Sequence, residues 1–74
     1  MVRESFGTRL RQLRERAGMN QTQLADRIGA DQRSVSRWEC NVSEPGVRMA
    51  DTIATVLGVS LPDLLGISHG IETK

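Results

Sequence analysis

A chain of 74 residues has room for one domain, and a domain this small buries only about 60% of the surface its unfolded chain exposes, so stability rests on a single core. With 38% apolar and 26% charged residues, the composition excludes a disordered tail, and no apolar run approaches the roughly 18 residues that a membrane-crossing helix needs. The formal net charge of +1 excludes a uniformly basic surface but leaves open how charge is distributed along the chain.

In SFGTRLRQLRERAG, Phe6, Leu10, Leu13 and Ala17 recur at helical spacing, with Ser5 placed to cap the start and Gly18 to supply a left-handed stop. Asn20 is a good N-cap for a second helix, QTQLADRIG, whose Leu24, Ala25 and Ile28 form one stripe before Gly29. Asp31 caps a third, QRSVSRWE, with Val35 and Trp38 as its apolar members. CNVSEPG then reads as a loop, since Asn41 tolerates the left-handed conformation and Pro45 and Gly46 punctuate the chain. Helical spacing resumes in VRMADTIATVLG through Val47, Ala50, Ile53, Ala54 and Leu57, closed by Gly58. Ser60 caps a last short helix that carries Pro62 in its first turn and Leu61, Leu64 and Leu65 as apolar residues. Five helices and no strands are predicted, an all-α domain over residues 1–66 followed by a C-terminal tail, 67–74.

Charge is distributed unevenly. From Met1 to Arg37, eight arginines face four acidic side chains, a net +4; from Trp38 onward, Arg48 and Lys74 face five acidic residues, a net −3. Only the N-terminal half attracts an anion, although arginines on the first helix are equally well read as a solvated face. Cys40 is the single cysteine and His69 the single histidine, so neither an internal disulfide nor a Cys/His metal site is expected. With no signal-peptide core in MVRESFG, a reducing cytoplasm is the expected setting. There is no Gly-rich phosphate loop and no nucleophile and base couple, so no enzyme activity, cofactor or small-molecule ligand is expected. Cys40 reads as an incidental thiol, a redox sensor being the alternative.

Gln21 to Cys40 meets the demands of a helix-turn-helix. Ala25 is small where the third helix crosses the second, Gly29 suits the positive φ of the turn, and Leu24, Ile28, Ala30, Val35 and Trp38 are apolar where both helices meet a core. Successive helical side chains rotate by about 100°, so with Val35 and Trp38 inward, Arg33, Ser36 and Arg37 point outward and Gln32 projects from the first turn. Arginine can donate two hydrogen bonds to guanine O6 and N7, and glutamine can pair with adenine N6 and N7. Gln32 and Arg33 are therefore candidates for base readout, with Ser36 beside them and Arg37 on base or phosphate. Solvation of an exposed helix face is the plainer alternative for each. Trp38 reads as core rather than as a base-stacking platform. Free amides at Gln21 and Thr22, at the positive end of the second helix, suit a phosphate.

FGTRLRQLRERAGMNQTQLADRIGADQRSVSRWE, a proline-bearing loop and IATVLGVSLPDLL together resemble the lambda-repressor-like helix-turn-helix family, over roughly Phe6 to Leu65. The resemblance implies a compact five-helix domain that binds operator DNA, usually as a twofold dimer. It also implies a backbone-contacting role for Asn20 and Gln21, with Gln21 bracing Gln32, and a largely buried ion pair between Arg14 and Glu39. The loop departs from the family pattern. Where lysines or arginines are common, this chain offers Asn41 and Ser43 beside the acidic Glu44, with Arg48 as a further backbone candidate. Fewer cationic contacts imply a shallower salt dependence, since each neutralised phosphate contributes about −0.9 to the slope of log K against log salt.

One recognition helix reads few base pairs, so two half-sites about 34 Å apart and a homodimer are expected. Leu61 and Leu64 are expected to close the core, leaving Leu65, Ile67 and Ile71 as dimer candidates. The resulting expectation is a sequence-specific regulator of transcription, most simply a repressor. A protein-interaction module, such as an antitoxin or coactivator-like adaptor, is the alternative.

Overall fold

The computed structural model describes residues 5–66. Among them the chain forms α1 (Phe6–Arg16), α2 (Gln21–Ile28), α3 (Gln32–Glu39), α4 (Val47–Leu57) and α5 (Leu61–Leu65), with no strand. Four of the five starts are set locally by a side chain that accepts an otherwise unpaired backbone N–H. The Ser5 hydroxyl accepts from Thr8 N at 3.2 Å, Asp31 Oδ1 from Arg33 N at 3.2 Å, and the Ser60 hydroxyl from Asp63 N at 3.2 Å. Asn20 and Gln23 form a reciprocal capping box. Gly46 precedes α4 without a side-chain cap.

The helices converge on one core. Leu10 and Leu13 of α1, Leu24, Ala25 and Ile28 of α2, Val35 and Trp38 of α3, Ala50, Ile53 and Ala54 of α4, and Leu64 of α5 are buried together. Packing joins α2 to α3 and α4, and α1 to α3 and α5, with α5 also against α4. The α1–α5 contact is reinforced by Arg9, whose Nε donates to the Asp63 carbonyl at 2.7 Å near the C-terminus of α5, where a cation is favoured. Arg9 is thus a strut as well as a surface charge.

Two expected core positions are not in the core. Ala17 is exposed because α1 ends at Arg16 and Ala17 serves as its C-cap. Val47 is 78% exposed: it is the first residue of α4, ahead of Ala50, Ile53 and Ala54, through which the helix meets the core. The period gives the direction of a stripe but not how far neighbouring elements cover it. Val47→Ser is accordingly expected to change the unfolding free energy by no more than about 0.5 kcal/mol in a urea titration.

Candidate nucleic-acid interface

The turn between α2 and α3 requires Gly29 at φ +71°, a left-handed conformation costly for a residue with a Cβ. It sets α3 across α2 with Val35 fully buried and Trp38 8% exposed, so Trp38 belongs to the core. The opposite face of α3 presents Arg33 and Arg37 to solvent, with Gln32 and Ser36 half-buried at its edge. Neither guanidinium has an ion-pair or hydrogen-bond partner among the described residues. The one carboxylate within α3, Glu39, is turned inward and its side chain is 5% exposed. The outward face is therefore cationic and polar with no competing anion of its own helix.

Beside this face lies the N-terminus of α2. The capping box occupies two amides, Asn20 N donating to Gln23 Oε1 at 2.8 Å and Gln23 N to Asn20 Oδ1 at 2.7 Å. The amides of Gln21 and Thr22 stand between them, outside both the box and the helical ladder, at the positive end of the helix dipole. This is the geometry of an anion site.

A polar network fixes the exposed face to the interior. Arg14, 9% exposed at its side chain, donates from Nε to Glu39 Oε2 at 2.6 Å and from Nη2 to Glu39 Oε1 at 3.1 Å, a bidentate pair joining α1 to the end of α3. Its Nη1 donates to the Met19 carbonyl at 2.8 Å, which ties down the segment entering α2. The hydrogen bond to Glu39 raises the Arg14 pKa above its usual value, against the opposing effect of burial and with the help of the Glu39 charge. Glu39 Oε1 also accepts from Gln21 Nε2 at 3.1 Å, and Gln21 Oε1 accepts from Gln32 Nε2 at 2.6 Å. The chain of contacts runs from α1 to the first turn of α3.

Asn41 sits at φ +61° just past α3, and its side chain is used within the protein. Oδ1 accepts from Gly7 N at 2.9 Å and Nδ2 donates to the Ser5 hydroxyl at 3.1 Å, which fastens the start of α1 to the end of α3. Gly7 completes this joint, because an ideal Cβ built there would lie 2.4 Å from the Glu39 carbonyl oxygen. Both residues were missed as positioning elements; a glycine inside an amphipathic helix was the available signal for Gly7. Ser43 and Arg48 are exposed beyond α3, Arg48 at the start of α4. Cys40 is exposed at the C-cap of α3. Leu65 is 42% exposed and lines a shallow cavity with Phe6, Glu44, Pro45 and Ala50, whereas Leu64 is fully buried. Ile67 and Ile71 lie outside the described residues. Among the described residues there is no cluster of metal-ligating side chains, and no helix is long and apolar enough to cross a membrane.

Comparison with known proteins agrees with this architecture. The P22 c2 repressor, solved in complex with the synthetic operator 9T, is 25% identical; the match covers 88% of this chain and 98% of that one, with a TM-score of 0.82. ComR from Streptococcus suis is 38% identical over 88% of this chain and 21% of its own, with a TM-score of 0.74. Among curated proteins, the SPbeta prophage-derived HTH-type transcriptional regulator YonR of Bacillus subtilis strain 168 is 31% identical over 64 residues, 86% of this chain. The match spans 59% of YonR's length. The fold and relatives are those of DNA-binding transcription regulators, not of enzymes. The helix-turn-helix family profile matches residues 10–64, from the core of α1 to the buried leucine of α5, and the chain accordingly belongs to the lambda-repressor-like helix-turn-helix family.

Proposed function

We propose that this protein is a sequence-specific regulator of transcription that binds double-stranded DNA, acting as a repressor on an inverted-repeat operator. The observation that carries the proposal is the outward face of α3, where Gln32, Arg33, Ser36 and Arg37 stand beside the α2 N-terminus on a helix whose own carboxylate, Glu39, is turned inward, with the exposed Asp31 confined to the N-cap. Its similarity to the P22 c2 repressor, solved on operator DNA, supports placing α3 in the major groove. Gln32 and Arg33 read base edges, with Ser36 and Arg37 adjoining. Asn20, Gln21, Thr22, Ser43 and Arg48 hold the phosphate backbone; the exposed Asn41 is a further candidate, but its side-chain amide already serves the α1–α3 joint. Two copies pair through the surface around Leu65, together with Ile67 and Ile71 of the 67–74 segment. The domain over 1–66 supplies the DNA contacts, and the protein works in the cytoplasm without cofactor, metal or small-molecule ligand.

Selection of bound sequences from a random duplex pool tests this reading. An inverted repeat is expected, with half-site centres about 34 Å apart. Arg33→Ala is expected to weaken binding to the selected duplex by about 1–3 kcal/mol, measured by fluorescence anisotropy, with a smaller loss on unrelated DNA. Recovery of no enriched sequence, or an Arg33→Ala/Arg37→Ala variant that binds as tightly as the parent, contradicts the proposal.

A further inference from the structure

We propose that Glu39, which lies on the inward side of α3, is a positioning residue that determines which base Gln32 accepts, acting through Gln21. The inference rests on the reading of Gln32 as a base-contacting residue. A carboxylate can only accept hydrogen bonds, and Arg14 holds Glu39 in place through two of them. Gln21 must therefore present its amide nitrogen to Glu39 Oε1, as it does at 3.1 Å. That leaves only its oxygen for α3, and Gln32 must answer with its own nitrogen, as it does at 2.6 Å. The polarity of each amide is thus dictated by the one before it, starting from a charge that has no proton to give.

The consequence falls on the exposed end of Gln32, which keeps Oε1 as an acceptor and one N–H as a donor. An acceptor beside a donor complements adenine, whose N6 donates and N7 accepts; guanine offers two acceptors, O6 and N7. To donate fully to guanine, Gln32 would have to turn its amide over and set its oxygen against the Gln21 oxygen. Gln21 cannot turn in response while Glu39 occupies its nitrogen. Residues with no access to a base edge thereby bias Gln32 toward adenine.

Glu39→Gln tests the relay with a side chain of the same shape. The amide so introduced has one oxygen for three donors; on the shorter bond, to Arg14 Nε at 2.6 Å, it leaves Arg14 Nη2 without its acceptor and turns its nitrogen toward Gln21, so that Gln21 and then Gln32 are no longer held in one polarity. Gln21→Met is the second variant. It leaves the Arg14–Glu39 pair intact and removes the relay, and its ratio of affinities decides the matter should Glu39→Gln fail to fold. Anisotropy is measured on the full chain with duplexes carrying A·T or G·C at the position where Gln32→Ala loses its preference. Both variants are expected to lower the adenine-over-guanine ratio about tenfold, while a merely structural role would lower affinity for both duplexes alike. Wild-type ratios in both variants, with the ratio lost in Gln32→Ala, overturn the relay alone. A Gln32→Ala protein with unchanged preference at every position overturns the base-reading role and the relay with it.

Discussion

Arg14→Ala is expected to lower folding stability by about 3–5 kcal/mol, a large part of the 5–15 kcal/mol or so available to a small domain. The substitution strands Glu39, whose side chain is 5% exposed, as an uncompensated charge, and it removes the donor to the Met19 carbonyl. The expected cost is the burial of the survivor rather than the worth of the pair, so Glu39→Ala should cost a similar amount by stranding Arg14. The double variant Arg14→Met/Glu39→Leu should recover much of the loss, because apolar replacements leave no buried charge. Urea unfolding followed by the fluorescence of Trp38, next to Glu39 in the chain, measures all three. Single variants within about 0.5 kcal/mol of the parent would show that the pair is solvated. The pKa of Arg14 is raised in the fold, so its contribution is fully present below the ordinary arginine range and is lost only as pH rises through the folded value. No alkaline loss from this pair is therefore expected near neutrality. DNA binding should disappear in Arg14→Ala in step with unfolding, without any direct contact to DNA.

The second large effect is expected at Gly7, with a sign opposite to helix propensity. Alanine is favoured over glycine by about 1 kcal/mol inside a helix, yet a Cβ at Gly7 would lie 2.4 Å from the Glu39 oxygen and 2.7 Å from the Glu39 carbon and the Trp38 oxygen. All three are backbone atoms, so no rotamer change relieves the clash. α1 must move from the end of α3, straining the Gly7–Asn41 hydrogen bond. Gly7→Ala is expected to destabilise by about 1–3 kcal/mol net, read from the same urea titration. An unchanged or higher midpoint would contradict the close approach of the two helices.

What could be read from the residues was chiefly what is decided within a few residues of chain. Ser5, Asn20, Asp31 and Ser60 cap helices because their oxygens meet amides two or three positions on. Leu10, Leu24, Val35, Ile53 and Leu64 are the most deeply buried side chains because period and hydropathy together point each inward. Gly7 and Asn41 escaped because their roles depend on how α1 crosses the end of α3, a contact spanning 34 positions in sequence. The period alone also points Val47 and Ala17 inward, but they lie at the two ends of their helices, Val47 first in α4 and Ala17 the C-cap of α1, and both are exposed. At the interface, the outward direction of Arg33 and Arg37 follows from Val35 and Trp38 alone. Of the route from Arg14 to Gln32, the family resemblance implies the Arg14–Glu39 pair and the Gln21–Gln32 brace, but not the Gln21–Glu39 hydrogen bond that joins them, since that requires three helices to bring four side chains into one line.

The central claim is that the outward face of α3 and the start of α2 meet DNA. Two-dimensional amide NMR on titration with a selected duplex tests it residue by residue. The largest shift changes are expected at Gln21 and Thr22 and from Gln32 to Arg37, with the α4–α5 surface around Leu65 responding less. Changes confined to that α4–α5 surface, with Gln32 to Arg37 unmoved at saturation, would contradict it.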